Sequence, residues 1–315
     1  MSEHSIILCP GQGAQAVGMG KAWFDASPDA AQTFGAADEI LGDRFGARLS
    51  DLCFNGPDDI LNRTDVAQPA IYTVGVACFQ ALFGGAEPGA IGATAGLSLG
   101  EYTALHLAGA ISFDDGLRLV ALRGKAMQDA AEAADSGMVA LIGADEAQAV
   151  AVCEEAGDGD VLVPANFNAP GQVVLSGSTA ACERAATVAT DKGLRASVLT
   201  VAGAFHSPFM APAAEQLRSA LEQVTIASPA YPVLSNVTGM PHGTGPDAAL
   251  PIADAIRERL VEQLTAPVRW EECCRWLVGE VAGAYHELAP GKVLSGLMRR
   301  IDRPTKVMNH AEPST

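Results

Sequence analysis

The pentapeptide Gly96-Leu97-Ser98-Leu99-Gly100 joins two segments of different character. The run before it, Ala90-Ile91-Gly92-Ala93-Thr94-Ala95, is short, small and apolar, and reads as a buried strand. The run after it, from Glu101 to Ala110, holds helix-forming residues and leads into Leu105-His106-Leu107-Ala108. A strand that turns directly into a helix on G-x-S-x-G pushes its serine out of the backbone, within reach of a base. The neighbouring amides can then meet an oxyanion. The two glycines are expected to supply close approach and positive φ. An ordinary glycine-rich turn can carry the same five letters, so the rest of the chain decides between the two readings.

That chain is long enough, at 315 residues, for one large domain or two smaller ones with ample core. The start Met1-Ser2-Glu3-His4 is not a basic leader, and Ile6-Ile7-Leu8 stops at Cys9-Pro10. The long uncharged, apolar stretch from Val66 to Ala86 contains Gln68, Pro69 and Gln80, so a buried helix is expected there rather than a membrane span. Seven cysteines form no C-x-x-C pair, which suits reduced thiols in a cytosol. The vicinal pair Cys273-Cys274 reads as plain thiols. A net charge of −17 argues against non-specific nucleic-acid binding. The charge is uneven, however. Lys292, Arg299, Arg300, Arg303 and Lys306 crowd near the C-terminus against the single acid Asp302. Such a patch could dock an acidic partner, although on charge alone a solvated helix face is the simpler reading.

Hydrophobic rhythm divides the chain. Ser5 to Cys9 reads as a buried strand ending in the loop Pro10-Gly11-Gln12-Gly13. Lys21 to Gly42 is helical in character. Ser112 caps a further helix with Asp115 at the capping-box offset, and that helix buries Leu117, Leu119, Val120, Leu122 and Met127, with Arg118 and Arg123 as charged exceptions. Residues 136–201 change rhythm. Met138–Gly143 reads as a strand, Asp145–Gly157 as a helix, Val161–Phe167 and Gln172–Ser176 as strands joined by the turn Asn168-Ala169-Pro170-Gly171, Thr179–Lys192 as a helix and Arg195–Val201 as a strand. This β-α-β-β-α-β order is the ferredoxin-like pattern. It predicts a small subdomain, 134–201, inserted in an α/β body made of 1–133 and 202–315. The body resumes with a helix from Ala211 to Val224, a short strand at Pro232–Asn236, a helix from Ile252 to Leu264 and a last core strand at Ala284–Leu288.

A serine nucleophile needs a base, and six histidines are candidates. His4 and His310 lie in terminal segments, His106 follows Ser98 on its own helix and is expected to face packing, His242 lies in a Gly/Pro loop, and His286 sits in a short strand. His206 follows Val201-Ala202-Gly203-Ala204-Phe205, just past an expected strand end, where α/β enzymes place catalytic groups. A satisfied core histidine is its rival reading. The loop Gly11-Gln12-Gly13-Ala14-Gln15-Ala16 also fits a weak dinucleotide fingerprint with Glu39 beyond it, but Pro10 and the lack of a clean βαβ unit count against that.

Several blocks, in order, resemble the malonyl-CoA:acyl-carrier-protein transacylases over nearly the full length. They are Pro10 to Gln15 with Gly18-Met19-Gly20, Gly96 to Leu105, Leu122 to Gln128, Asn166 to Gln172, Gly203 to Ser207, Gln263-Leu264 with Pro267 to Trp270, and Gly291 to Leu294. The resemblance implies an α/β-hydrolase-like large subdomain around a mostly parallel sheet, with the ferredoxin-like insertion. It implies that Ser98 attacks the malonyl thioester and that His206 takes the serine proton and returns it to the leaving thiol. It gives the oxyanion hole to the amides of Gln12 and Leu99 and the malonyl carboxylate to Arg123, whose planar guanidinium can bind it bidentately. A surface ion pair is the plainer reading of Arg123, weakened by the apolar neighbours Leu119, Val120 and Leu122. The resemblance also implies that Gln263 helps orient His206, that Asn166 faces the site, and that Phe205 excludes an α-methyl branch. Many bacterial members carry His where this chain has Leu97, which cannot hydrogen-bond.

The implied activity is ping-pong malonyl transfer from malonyl-CoA to the phosphopantetheine thiol of acyl carrier protein, supplying fatty acid synthesis. The basic run is the candidate docking surface. A cytosolic monomer without metal or redox cofactor, nucleic-acid partner or membrane attachment is expected. A serine thioesterase would share Ser98 and His206 without needing Arg123, and a catalytically silent acyl-CoA or carrier-protein binding module would need neither.

Overall fold

The computed structural model describes residues 4–85 and 89–313; Met1 to Glu3 and the Ala86 end of the apolar run lie outside the described residues. Within them run β1 (His4–Cys9), β2 (Ile91–Gly96), β3 (Ser136–Ile142), β4 (Leu162–Ala169), β5 (Gln172–Ser178), β6 (Arg195–Val198), β7 (Gly283–Leu288) and β8 (Val307–His310). Strands β2-β1-β7-β8, in that order, make one sheet whose neighbours are all parallel. In β1, Ile6, Ile7, Leu8 and Cys9 are all fully buried. Ile7 and Cys9 join the core on one face, Ile6 and Leu8 the core on the other. This is the period-2 signature of a strand covered on both sides.

Helices supply that cover. Thr64–Phe83 is apolar all round, and 78% of its most apolar stretch is buried, so it is a core helix despite being long enough to cross a membrane. It packs along the helix Phe113–Glu132, whose N-cap is Ser112, accepting from the Asp115 amide as the spacing predicts.

The second sheet holds β4-β5-β3-β6, all antiparallel. With the helices Glu146–Gly157 and Thr179–Asp191 it forms the ferredoxin-like arrangement with its own core of Val139, Leu141, Leu175 and Val152. The fold is therefore α/β with two subdomains, as the sequence pattern predicts.

Several details differ from the sequence reading. Lys21 to Gly42 is two helices, Lys21–Ala26 and Pro28–Leu41, because Ser27 caps the second and Pro28 opens it. The hairpin turn shrinks to Pro170-Gly171, with β4 continuing through Ala169, and Gly171 takes φ 70. Pro232–Asn236 is not a strand. Val233 makes one bridge with Thr94, but the amides of Ser235 and Asn236 turn to Met240 and Glu101 instead of a strand neighbour. Ala284–Leu288 is not the last strand either, because β8 pairs along the outer edge of β7. All seven cysteines are unpaired and buried, Cys273 and Cys274 among them.

Candidate active site

The site forms at the carboxyl ends of β1 and β2, the end where parallel sheets place their chemistry. Register pairs Cys9 with Gly96, and the Leu97 amide donates to the Cys9 carbonyl at 3.1 Å. The loop after β1 and the turn after β2 are thereby fixed side by side. The two glycines of the pentapeptide serve close approach. A Cβ on Gly96 would lie 1.8 Å from the Gly100 carbonyl carbon, and one on Gly100 would lie 2.1 Å from the Cys9 oxygen. The expected positive φ falls not on them but on Ser98 itself, at 52°. Backbone strain at Ser98 holds the hydroxyl clear of the chain. The helix Gly100–Leu107 follows at once.

His206 also has a left-handed backbone, φ 56. The expected strand before it is shorter: β6 stops at Val198, and the chain crosses from the small subdomain as an irregular segment. His206 thus lies beyond a strand of the antiparallel sheet, not at an end of the parallel one. What fixes it is the helix Ile252–Glu262. Gln263 closes that helix, its carbonyl is one of the oxygens a helix end leaves free, and it accepts from His206 Nδ1 at 2.7 Å. A carbonyl is an acceptor only, so Nδ1 carries the hydrogen and Nε2 presents its lone pair. That Nε2 lies 2.9 Å from Ser98 Oγ.

Arg123 comes from the helix Phe113–Glu132 and is 1% exposed. Its Nη1 donates to Gln68 Oε1 at 2.7 Å, and its Nη2 donates to Ser98 Oγ and Gln263 Oε1, both at 2.9 Å. The guanidinium sits 5.4 Å from the centre of the Tyr102 ring, and Nε has no partner. Among the described residues no carboxylate lies within ion-pair distance. A buried guanidinium served by neutral acceptors is a site waiting for an anion. Burial lowers the Arg123 pKa from its ordinary value without discharging it. Burial first, then the Arg123 charge, brings His206 down to about 4 against the pull of the Gln263 carbonyl. The His206 ring is therefore neutral at neutral pH.

Ser98, Leu99, Gln12, Arg123, His206, Phe205 and Asn166 all line one cavity of about 690 Å³. Gln263 stands behind it. Leu97 contributes an apolar wall beside Met127, Met138 and Val174. Val293 and Leu297, from the helix Val293–Ile301, lie at the same cavity. Lys292, Arg299, Arg300, Arg303 and Lys306 are exposed on and after that helix, with no ion-pair partner among the described residues. His106 faces packing, its Nδ1 against the Ile111 carbonyl. The Gly11–Ala16 loop opens no helix until Lys21 and borders the cavity, which removes the dinucleotide reading.

Sequence reasoning missed four residues. Asn236 accepts from the Ser98 amide and donates to the Gly96 carbonyl, bracing the turn from both sides. Glu101, His242 and Gln68 complete a buried polar cluster around Gln263 and Arg123. Glu101 left a signal, an acid directly before the apolar run Tyr102 to Leu105; the others left none.

Residues 6–298 match the family described as acyl transferase domain, to which the chain belongs; it is an acyltransferase. Relatives narrow the class. The malonyl CoA-acyl carrier protein transacylase of Bacillus subtilis is 39% identical over 312 residues, 98% of this chain and 94% of that one. The structure of malonyl-CoA:acyl carrier protein transacylase from Xanthomonas oryzae pv. oryzae superposes with TM-score 0.90 at 40% identity, covering 99% and 96% of the two chains. A malonyl-transacylase solved with its type II polyketide acyl-carrier protein superposes with TM-score 0.90 at 37% identity, covering 99% and 97%. The chain is thus a member of the malonyl-CoA:acyl-carrier-protein transacylase family.

Proposed function

We propose that the chain moves a malonyl group from malonyl-CoA to the phosphopantetheine thiol of acyl carrier protein, through an ester on Ser98. The observation that carries this is the position of Ser98 Oγ, 2.9 Å from the neutral nitrogen of His206 and 2.9 Å from a buried, carboxylate-free Arg123. His206 Nε2 takes the serine proton as Oγ bonds to the thioester carbon. The oxyanion that forms points to the amides of Gln12 and Leu99; removing one such donor typically raises a barrier by about 3 kcal/mol. Collapse breaks the carbon–sulfur bond, and His206 returns the proton to the CoA thiolate. The carrier thiol then repeats the cycle in reverse, giving its proton to His206 and leaving Ser98 free. Arg123 holds the malonyl carboxylate throughout. The Phe205 ring narrows the cavity where an α-methyl group would stand, and Asn166 offers an amide to the pantetheine arm.

The helix Val293–Ile301 reaches the cavity through Val293 and Leu297, and the exposed cations from Lys292 to Lys306 lie on or beside that helix, which supports them as the carrier's landing surface. The proposed chemistry needs no group from a second copy, and we take the protein to work as a cytoplasmic monomer. Mixing the protein with malonyl-CoA should add one malonyl mass to the Ser98 peptide, and added carrier protein should remove it. Release as free malonate without carrier would instead identify a thioesterase, and no adduct would leave a binding module.

A further inference from the structure

Gln263 has one side-chain amide between two charged groups, and its orientation matters. Oε1 accepts from Arg123 Nη2 at 2.9 Å, while Nε2 donates to Glu101 Oε2 at 2.7 Å. A guanidinium only donates and an ionised carboxylate only accepts. With Arg123 on one side and Glu101 on the other, the amide can face only one way. Glu101 is itself fully buried. Its Oε2 also accepts from the Asn236 amide at 2.9 Å, and its Oε1 takes the Nε2 hydrogen of His242 at 2.8 Å. His242 is held in turn, its amide donating to the Val233 carbonyl at 3.0 Å. Neither Glu101 nor His242 lines the cavity.

We infer that the buried Glu101–His242 pair is a positioning device that locks the Gln263 amide so that Arg123 stays aimed at the acyl carboxylate. The pair touches no substrate. It acts through Gln263, on the selectivity for a charged acyl group more than on the serine chemistry. The inference rests on the proposed malonyl clamp. Gln263 Nε2 also donates to the Ser98 carbonyl at 3.1 Å, so Glu101 is one of two acceptors that hold it. With glutamine at position 101 the charged acceptor is lost, leaving the Ser98 carbonyl alone to resist reversal of the Gln263 amide. Once reversed, its NH₂ would oppose the Arg123 donors, and the guanidinium would lose the acceptor that fixes it. Loss of one charge-assisted hydrogen bond changes such a preference about tenfold or more.

The test measures two kcat/KM values on the full chain, one for malonyl-CoA and one for p-nitrophenyl acetate, whose acyl group carries no charge. Glu101→Gln should lower the malonyl-to-acetate ratio about tenfold or more. His242→Leu should lower it in the same direction, and His242→Gln, which keeps a donor toward Glu101, should restore it to within about twofold of wild type. A purely structural role would depress both substrates alike and leave the ratio unchanged, which would overturn the inference. Where Glu101→Gln is insoluble, His242→Leu carries the decision; insolubility of both would make the pair a folding element and overturn it as well. Wild-type protein that forms no malonyl-serine would remove the functional reading instead, so the two failures remain distinct.

Discussion

The molecule handles positive charge in two opposite ways. Arg123 is a single guanidinium sealed in the interior, held by Gln68, Ser98 and Gln263, with an aromatic face beside it. The cations from Lys292 to Lys306 are exposed and make no ion pairs among the described residues. Water and salt screen the second group but barely reach the first. A sealed charge is preorganised and reads a small anion at short range. An exposed cluster attracts a large anion from a distance, raises the encounter rate and leaves the chemistry alone. In the proposed cycle, the first chooses the acyl group and the second the carrier.

The sharpest way to break this comparison is Arg123→Ala. It should lower kcat/KM for malonyl-CoA by about a thousandfold, the scale expected for removing one side of a buried, hydrogen-bonded charge pair. Acylation by p-nitrophenyl acetate should fall far less. Comparable losses on both esters would show that Arg123 serves the serine and not the carboxylate.

Next in size is a pH effect. His206 must be neutral to accept the Ser98 proton, and its pKa lies near 4. The acid limb of kcat/KM for p-nitrophenyl acetate should therefore fall well below the usual histidine value of about 6.5. Arg123→Ala removes one of the two depressing influences, so the limb should move up in that variant. Charge reversal in the surface cluster should not move it. The same depression bears on stability. The unfolded chain binds a proton at His206 near pH 6.5, which the folded chain refuses until about pH 4. Its share of stability is complete above the higher value and declines as pH falls between the two, which thermal melts of wild type and His206→Gln can compare.

Reversing Arg299 and Arg300 to Glu should raise KM for acyl carrier protein about tenfold and leave KM for malonyl-CoA nearly unchanged. Equal effects on both would remove the docking surface. The smallest expected change is with salt. Raising ionic strength should raise the carrier KM a few-fold, with little change in the formation of malonyl-Ser98.

What the sequence made legible was what it wrote locally. Ser98 announces itself because a strand, a turn and a helix adjoin within a dozen residues. Arg123 stands out as a cation on an apolar helix face. The small subdomain is readable because each of its elements carries its own periodicity. The polar cluster behind the site has no such local mark. Asn236, His242 and Gln263 reach Glu101 from well over a hundred residues away. His242 alone looks like any histidine in a glycine-rich loop. Strand β8 escaped because four half-exposed edge residues near the terminus carry no alternation to detect. The sequence points to His206 through a strand end, but that strand belongs to the antiparallel sheet, and what sets the ring beside Ser98 is the Gln263 carbonyl at the end of a distant helix.

The seven cysteines bear on daily operation. Each lies buried, and burial pushes every thiol up, Cys182 to about 11 and Cys78 and Cys153 to about 12. The proposed substrates and products all end in free or acylated sulfhydryls. A catalyst bathed in them would be prone to mixed disulfides and stray S-acylation if its own sulfur were ionised and accessible. Keeping that sulfur protonated and out of solvent removes seven competitors for the acyl group that the proposed cycle places on Ser98.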